Sequence, residues 1–364
     1  MLIAVNKQIG LITFLALNLI ISSKYQMPVF KYISMKDYIL FIFSLLICIS
    51  VQSQDTTYAE RLGFPKNARI IILHMDDAGM SLSSNRGIEK VFEKGVANST
   101  SVMMPCPWVP QILRYIELHP GTDAGLHLTL NAEWKDYRWQ PLAGTAAVPG
   151  LTDSTGCLWA DVPDVVKHAS ADEVDKEIRA QLSRAERMGF HPTHLDSHMG
   201  TLFASASFLQ KYIALGIEKQ IPVMFPGGHD TYIGKEMNLS AEQLLYFQNI
   251  GKTIWNAGLP LLDDLMNSSY DWNPPANLKD DTSLGKWRVA LYEKAMLQLK
   301  PGITMVIMHC TDPSQIFSEI SDSGEKRKAD MLAMLDPGFK KFLKDNGFVL
   351  TTWRQLMERR KNVK

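Results

Sequence analysis

Acidic residues and histidines come at or near the end of four apolar segments of the sequence. Asp76 and Asp77 directly follow the segment RIIILHM, which begins at Arg69. The other three segments carry the following residues: His127 in AGLHLTL, then His194, Asp196 and His198 in PTHLDSH, and His309, followed by Asp312, in ITMVIMHCTD. Carboxylates and imidazoles are the side chains that bind divalent metal ions and transfer protons, so the four segments could build one hydrolytic centre.

Asp77, His127 and His198 are the predicted metal ligands. Two imidazoles and one carboxylate form a facial set that binds Zn²⁺ or another divalent first-row ion and leaves positions open for water and substrate. Such an ion lowers the pKa of a bound water and polarises a carbonyl group. Asp76 could then accept a proton from that water as a general base. This division of roles would explain why two neighbouring acids, which repel each other, occupy one strand end.

The other histidines of the sequence, and Asp196, are not predicted to bind the metal ion. Residues two apart share one face of a strand, so His194, Asp196 and His198 would all point the same way. Asp196 or His194 is therefore expected to orient a ligating imidazole and not to bind the ion itself. His74, inside the first apolar segment, is predicted to be a packed core residue. The histidines in loop contexts are predicted to have no role in the site: His119, His168, His191 and His229.

The elements that would position these residues are short apolar strands that alternate with amphipathic helices. Besides the four segments above, strands are predicted at STSVMM, IPVMFP, LPLLDDL and FVLTTW. Their continuous apolar character is typical of strands buried on both faces. The clearest helix covers residues 170–189, where Ser170 and Glu173 form a capping box and Gly189 ends the helix. This alternation predicts an α/β fold, a single-domain deformed (β/α) barrel with mostly parallel strands, over residues 60–364.

A doubly wound open sheet is the alternative architecture for the same alternation. No glycine-rich loop of the nucleotide-binding type follows any predicted strand, which weakens functions based on nucleotide binding. The formal net charge of zero gives no basic surface for nucleic acid, which we do not expect as a partner. In a barrel, functional side chains lie at the carboxyl ends of the strands, where the four segments would meet.

Residues 1–53 are predicted to be a signal segment. The stretch MKDYILFIFSLLICISVQSQ has a lysine beside a methionine, an apolar run from Tyr38 to Val51, and a small residue at Ser53, near which cleavage is expected. Met35 is an alternative start of the chain. A membrane anchor is the alternative, but the apolar runs are shorter than the ~20 residues of a span, so an exported protein, periplasmic or secreted, is expected. The cysteines outside this segment are predicted to be buried thiols: Cys106, Cys157 and Cys310.

Taken together, these segments resemble the YdjC-like (ChbG/HpnK) carbohydrate deacetylases. The motifs that carry the resemblance are DDAGMSLSSNRGI, GVANSTSVM, AGLHLTLN and PTHLDSH over residues 68–202, with a weaker similarity in MHCTDP at His309. The sequence departs from the family pattern at Ala78, where the family usually has phenylalanine. It also has Met199, Gly200 and Thr201 where many relatives carry further histidines, and residues 226–302 match no part of the pattern.

The resemblance implies hydrolysis of an N-acetyl group from an acetylated amino sugar with one divalent ion, zinc or magnesium. It implies the same ligands, Asp77, His127 and His198, with Asp76 as catalytic base and His309 as general acid for the leaving amine. Aromatic residues after the His127 strand could stack on a sugar ring or pack beneath a loop: Trp134, Tyr137 and Trp139. The alternatives are another metal-dependent hydrolase (a phosphoesterase or amidase), a non-catalytic carbohydrate-binding barrel, and a glycosidase with two carboxylates and no metal.

Overall fold

Parallel strands form one curled sheet in the computed structural model, which describes residues 56–278 and 280–363. The strands are β1 (Arg69–Ala78), β2 (Ser99–Val102), β3 (Ala124–Leu128), β4 (Leu195–Ser197), β5 (Asp264–Met266), β6 (Gly302–Met308) and β7 (Phe348–Leu350). Their order is β4-β3-β2-β1-β6-β5, and β7 pairs with the first residues of β1. This half-barrel confirms the predicted deformed barrel of parallel strands. The predicted signal segment lies outside the described residues.

The prediction of a full strand at IPVMFP is wrong. Val223 and Pro226 make only isolated parallel bridges, to Leu195 of β4 and to Leu262 just before β5. Pro222 and Pro226 have no backbone N–H, so neither can donate a hydrogen bond to a ladder. The segment therefore makes only one bridge to each edge of the curled sheet, and no regular strand of the described residues closes the barrel between β4 and β5.

Helices alternate with the strands and cover the sheet. They are α1 (Tyr58–Arg61), α2 (Leu82–Lys94), α3 (Val109–Leu118), α4 (Val162–His168), α5 (Ala171–Arg187), α6 (Ala206–Lys219), α7 (Thr231–Glu236), α8 (Ala241–Asn256), α9 (Asp281–Met296), α10 (Gly324–Leu335), α11 (Pro337–Asp345) and α12 (Trp353–Lys361). Short 3₁₀ helices lie at Pro149–Leu151, His198–Phe203, Ser268–Asp271 and Gln315–Glu319. The capping box of Ser170 and Glu173 begins α5, as predicted. Within the described residues, no helix is long and apolar enough to cross a membrane.

Strand β1 lies in the middle of the sheet and brings the two acids to its carboxyl end. Every residue from Ile70 to Ala78 is buried. Burial of each aliphatic side chain contributes about 1.5–3 kcal/mol, which favours this strand strongly over a surface position. The pairing of β1 with β2 is irregular between Met75 and Ala78, and Asp77 there has a left-handed backbone with φ 66°. This irregularity takes Asp76 and Asp77 out of the regular ladder, as β-bulges do beside active sites.

The three cysteines of the described residues are free thiols. Cys106 and Cys310 are buried, as the sequence predicts. Cys157 is only half-buried, so that prediction is wrong for this residue. It lies in a turn in which its carbonyl oxygen accepts a hydrogen bond from the Asp153 backbone, and this surface turn leaves the side chain partly in solvent.

A second group of buried carboxylates lies at the opposite, amino-terminal end of the strands. Asp263 accepts backbone hydrogen bonds from Tyr58 (2.7 Å) and from Ile303 near the start of β6 (2.9 Å). Asp230 is also buried, but neither of its carboxylate oxygens has a hydrogen-bond partner among the described residues. Burial, and then the charges of Asp264 and Asp263, raise the pKa of Asp230 to about 8.

We expect Asp230→Asn to stabilise the protein at alkaline pH. The ordinary pKa is 3.8. Because the folded pKa is higher, the folded state binds the proton more tightly, and stability falls as pH rises from about 4 to about 8. An amide cannot ionise, so the gain of the variant should be larger at pH 8 than at pH 5, by on the order of a few kcal/mol. Asparagine also tolerates the left-handed backbone at this position (φ 49°). Denaturant unfolding at both pH values measures the gain; an equal difference at the two would contradict the raised pKa.

Candidate active site

The predicted metal ligands Asp77, His127 and His198 lie together, at or just beyond the carboxyl ends of β1, β3 and β4. Asp77 Oδ1 is 3.4 Å from both His127 Nε2 and His198 Nδ1, and these two nitrogens are 3.2 Å apart. Ligand atoms of a tetrahedral zinc site are roughly 3.3–3.4 Å apart when each binds at about 2.0–2.1 Å. The triangle therefore has the dimensions of a divalent-ion site, and all three side chains are buried.

The protonation pattern around this triangle also fits a cation. His127 Nδ1 is 2.6 Å from Asp196 Oδ1, and a carboxylate can only accept, so Nδ1 carries a proton. In the neutral ring the Nε2 lone pair then faces Asp77 Oδ1, a buried oxygen with no hydrogen-bond partner in the described part of the chain. A lone pair and a carboxylate oxygen repel each other in a buried site. A cation bound by both atoms would remove that repulsion.

Asp196 orients a predicted ligand, whereas His194 packs in the core. Asp196 reaches His127 directly, but its Oδ2 is 3.8 Å from His194 Nε2, too far for a hydrogen bond. The ring of His194 instead stacks on Trp353, with the centroids 5.2 Å apart. A Cβ at Gly125 would lie 2.4 Å from His194 Nε2, so the glycine of the GLHL motif makes room for this packed ring.

Arg327 of α10 holds the second oxygen of Asp77. Its Nη1 lies 2.5 Å from Asp77 Oδ2, and its Nε donates to Ser323 Oγ at 2.8 Å. Burial alone would raise the pKa of Asp77, but the Arg327 guanidinium and the facing histidines outweigh it and hold this pKa well below its usual range. Asp77 is therefore a carboxylate with one oxygen fixed by the Arg327 guanidinium and the other available to bind a metal ion. Sequence analysis missed Arg327, which nothing in its helical surroundings distinguishes.

Glu133, in the loop after β3, fixes the ring of His198. Its Oε2 and Oε1 are 3.1 and 3.2 Å from His198 Nε2, on the side of the ring away from Asp77. Burial lowers the pKa of His198, but the carboxylates of Glu133 and Asp77 outweigh it and raise this pKa to about 9. Sequence analysis also missed Glu133. Its one signal is an acid placed six residues after His127, in the loop that leaves the same strand.

We expect Glu133→Gln to weaken metal binding by about 10–100-fold. An acceptor on the outer nitrogen of a ligating histidine fixes its orientation and raises its basicity, and a neutral amide does this less well. Competition with a chromogenic chelator measures the affinity. Asp136→Asn is the matched control, because Asp136 is an exposed acid of the same loop, and its affinity should equal that of the parent. Equal affinities for all three proteins would contradict the role of Glu133.

The predicted catalytic pair, Asp76 and His309, lies beside the triangle. Asp76 Oδ2 is 3.9 Å from both His309 Nε2 and His127 Nε2. Both side chains keep a little solvent exposure, 11% for Asp76 and 13% for His309. Burial, and then the charge of Arg327, lower the pKa of His309, while the carboxylates of Asp77 and Asp76 oppose that shift. A histidine with a lowered pKa is a strong proton donor once it is protonated.

The aromatic residues after β3 divide between packing and the surface. Trp139 is buried and its indole donates to the Asn131 carbonyl (3.1 Å), so it supports the loop. Trp134 packs edge-on against Trp139. Tyr137 donates to the Met80 carbonyl and lines a cleft of about 770 Å³ together with Trp108, which is 39% exposed. The cleft therefore has aromatic side chains that a ligand could contact, Trp108 and Tyr137 among them.

Comparisons with known proteins identify the family and agree with the fold. A sequence model of the YdjC-like protein family matches residues 70–345. Two proteins named carbohydrate deacetylase are similar over almost their whole length: one from Thermoanaerobacter pseudethanolicus (24% identity, 78% of this chain, 98% of the relative) and one from Thermus thermophilus (26%, 82% and 97%). A Serratia marcescens protein named chitooligosaccharide deacetylase is 29% identical over 36% of this chain and 49% of its own length.

The fold also resembles that of a protein with a solved crystal structure. The structure is that of an Enterococcus faecalis V583 protein named for cellobiose-phosphate cleavage, and it superimposes with a TM-score of 0.63 over 79% of this chain and 99% of that one. At 18% identity it supports the fold alone. The family match covers most of the barrel and includes all three predicted ligands, and it confirms the resemblance seen in the motifs. The chain therefore belongs to the YdjC-like protein family.

Proposed function

We propose that this protein is a metal-dependent carbohydrate deacetylase that hydrolyses the N-acetyl group of an acetylated amino sugar. The observation that carries the proposal is the triangle of Asp77 Oδ1, His127 Nε2 and His198 Nδ1, with the carboxylate of Asp76 beside it. Relatives named carbohydrate deacetylase, which align with this chain over nearly their full length, support the substrate class.

Asp77, His127 and His198 would hold one divalent ion. Two imidazole nitrogens and one carboxylate oxygen favour Zn²⁺ or another first-row ion over Mg²⁺, which prefers an all-oxygen site. When bound, the ion supplies a Lewis acid and a water of lowered pKa. Asp196 and Glu133 would keep the two imidazoles in the orientation that binding requires.

Asp76 and His309 would move the protons of the reaction. Hydrolysis adds the hydroxide part of a water to the acetyl carbon, and a proton must reach the amide nitrogen before the C–N bond breaks. Asp76 takes the proton of the attacking water, because its Oδ2 faces the triangle and reaches solvent. His309, 3.9 Å from the same oxygen, donates a proton to the leaving nitrogen. The products are acetate and the free amine.

The cleft that contains Trp108 and Tyr137 would bind the sugar. Its lining includes Ser81 after β1 and Asp312 after β6, so the cleft lies at the carboxyl ends of the strands, as the triangle does, although the predicted ligands and Asp76 do not line it. A volume of about 770 Å³ lies within the usual range of small-molecule sites. Aromatic rings pack well against the apolar faces of sugars, and Trp108 and Tyr137 provide two of them.

Acetate release from N-acetylglucosamine oligosaccharides is the test of the proposal. The purified protein should release acetate, lose the activity after treatment with a chelator, and regain it with added Zn²⁺. Release of reducing sugar without acetate would indicate a glycosidase instead, and hydrolysis of a phosphate ester alone would indicate a phosphoesterase. Saturable sugar binding without any turnover in the metal-loaded parent would favour a binding protein.

A further inference from the structure

His74 of β1 lies beneath the predicted base and contacts two carboxylates. Its side chain is fully buried, as predicted for a core residue, but its surroundings are polar. Nε2 is 3.2 Å from Asp76 Oδ1 and 3.0 Å from Asp196 Oδ2. Nε2 also lies 3.1 Å from the hydroxyl of Ser101, which can donate or accept. A lone pair on Nε2 would face two buried carboxylate oxygens, and their negative charge favours a proton on this nitrogen.

The other nitrogen of His74 must also carry a proton. Nδ1 is 2.9 Å from Ser99 Oγ, and the Ser99 hydroxyl donates its single proton to Asp123 Oδ2 at 2.8 Å. Asp123 is an acceptor there, since its oxygens also receive the backbone N–H groups of Trp353 (3.2 Å) and Arg354 (3.0 Å). Ser99 can therefore only accept from His74, and Nδ1 is a donor.

With both nitrogens protonated, the His74 ring is an imidazolium cation. Asp76 Oδ1 and Asp196 Oδ2 are buried oxygens without a hydrogen-bond partner among residues 56–278 and 280–363, and His74 Nε2 lies within 3.2 Å of both. A neutral ring would leave either these oxygens or Ser99 facing a lone pair in a buried site. The pKa of His74 agrees with a protonated ring. Burial lowers this pKa, but Asp196 and Asp76 outweigh burial and raise it to about 9.

We propose that His74 is a positioning residue, a fixed imidazolium that ties Asp76 to Asp196 and so aligns the Asp76 carboxylate beside the predicted metal ligands. The same cation also steadies Asp196, which orients His127. Hydrogen bonds between ionised groups are about twice as strong as neutral ones, so one buried ring can hold both carboxylates in place. The kinetic part of this inference rests on the proposed function, whereas the charge of the ring does not.

A metal ion in place of the proton is the alternative occupant of this position. His74, His194 and Asp196 offer three atoms close enough together to bind one. His194 Nε2, however, is packed against Gly125, and His74 Nε2 needs its proton for two carboxylates. We therefore expect one zinc ion per chain after loading and dialysis; two per chain would overturn the proposal.

Nitrogen NMR of the zinc-loaded protein tests the charge of the ring without any assay of activity. Protein labelled with ¹⁵N-histidine should show, at pH 8, a ring with both nitrogens protonated. The signal should disappear in His74→Gln and persist in His194→Gln. His194 is the matched control, because it is a buried imidazole whose ring contacts that of His74 at 4.9 Å, while its Nε2 has no partner in the described residues. A neutral His74 ring at pH 8 would overturn the proposal.

Kinetics test the positioning role. His74→Leu should lower kcat by roughly 100-fold, the cost of a misplaced catalytic group, with KM within about twofold of the parent value. His74→Gln keeps one neutral N–H donor near Nε2 and should recover part of that loss. His194→Gln should stay within about threefold of the parent. Zinc content and thermal unfolding are measured on each variant.

The possible outcomes separate this inference from the proposed function. Parental kcat in a folded, zinc-loaded His74→Leu protein would overturn the positioning role, and so would a loss explained entirely by missing zinc. If the parent releases no acetate, the proposed function and the kinetic role fail together. The NMR result then still decides whether His74 is a cation.

Discussion

Asp76→Asn is expected to lower kcat for acetate release by about 10²–10⁴-fold, the usual contribution of a general base. The amide cannot accept the proton of the attacking water at neutral pH. It has nearly the same shape as the carboxylate, so the substrate site and KM should change little. Metal content should also remain that of the parent, because Asp76 Oδ2 is 3.9 Å from His127 Nε2 and lies outside the triangle of predicted ligands.

The metal content of Asp76→Asn distinguishes a general base from a metal ligand. A variant that lost both activity and metal would mark Asp76 as a ligand and not as a base. Asp172→Asn is the matched control, because Asp172 is an exposed acid of α5 that pairs with Lys211 at 2.9 Å and does not line the cleft. Its kcat should stay within about threefold of the parent. An Asp76→Asn enzyme with more than a tenth of parental kcat would contradict the proposed role.

Much of the candidate site could be predicted because strands deliver residues to a common edge. The apolar run of β1 leads directly to Asp76 and Asp77, and His127 lies near the end of another buried strand. The two-residue repeat of a strand also predicted that either Asp196 or His194 would orient a ligand and not bind the ion. Asp196 makes such a contact, at 2.6 Å from His127 Nδ1, whereas His194 packs in the core. These inferences need only the residue periodicity of each strand and the rule that the carboxyl ends of parallel strands lie at the same edge of a sheet.

The parts that sequence analysis missed depend on contacts between distant segments. Arg327 reaches Asp77 from a helix 250 residues later in the chain, and nothing in α10 predicts which face of it meets β1. Glu133 lies in a loop whose path is set by side-chain packing. The charge of His74 depends on hydrogen bonds that link it through Ser99 to Asp123. These bonds form only when separate segments of the chain meet in the fold. The apolar pattern of IPVMFP is typical of a strand, but its two prolines lack the backbone N–H groups that a regular strand donates, so it forms only isolated bridges.

Asp77→Asn is expected to reduce zinc affinity by at least 100-fold, because it removes the charged ligand while keeping the side-chain shape. Asparagine also tolerates the left-handed backbone that Asp77 adopts (φ 66°). Asp77→Ala should lose zinc too, but it also strains that backbone. Both variants leave the Arg327 guanidinium buried without its carboxylate, a loss of about 3–5 kcal/mol of stability, but only asparagine keeps an oxygen that can accept the hydrogen bond.

Metal binding and stability can therefore be separated at Asp77. Zinc should raise the Tm of the parent, since a ligand that binds only the folded state stabilises it, and should leave the Tm of Asp77→Asn unchanged. Arg327→Met in the parent background is the control for the ion pair. It leaves Asp77 unpaired and should lower the Tm, yet Asp77 still offers Oδ1 and zinc should still raise the Tm. If Asp77→Asn keeps a full equivalent of zinc after dialysis against a chelator, Asp77 is not a ligand, and its burial against Arg327 is a structural ion pair alone.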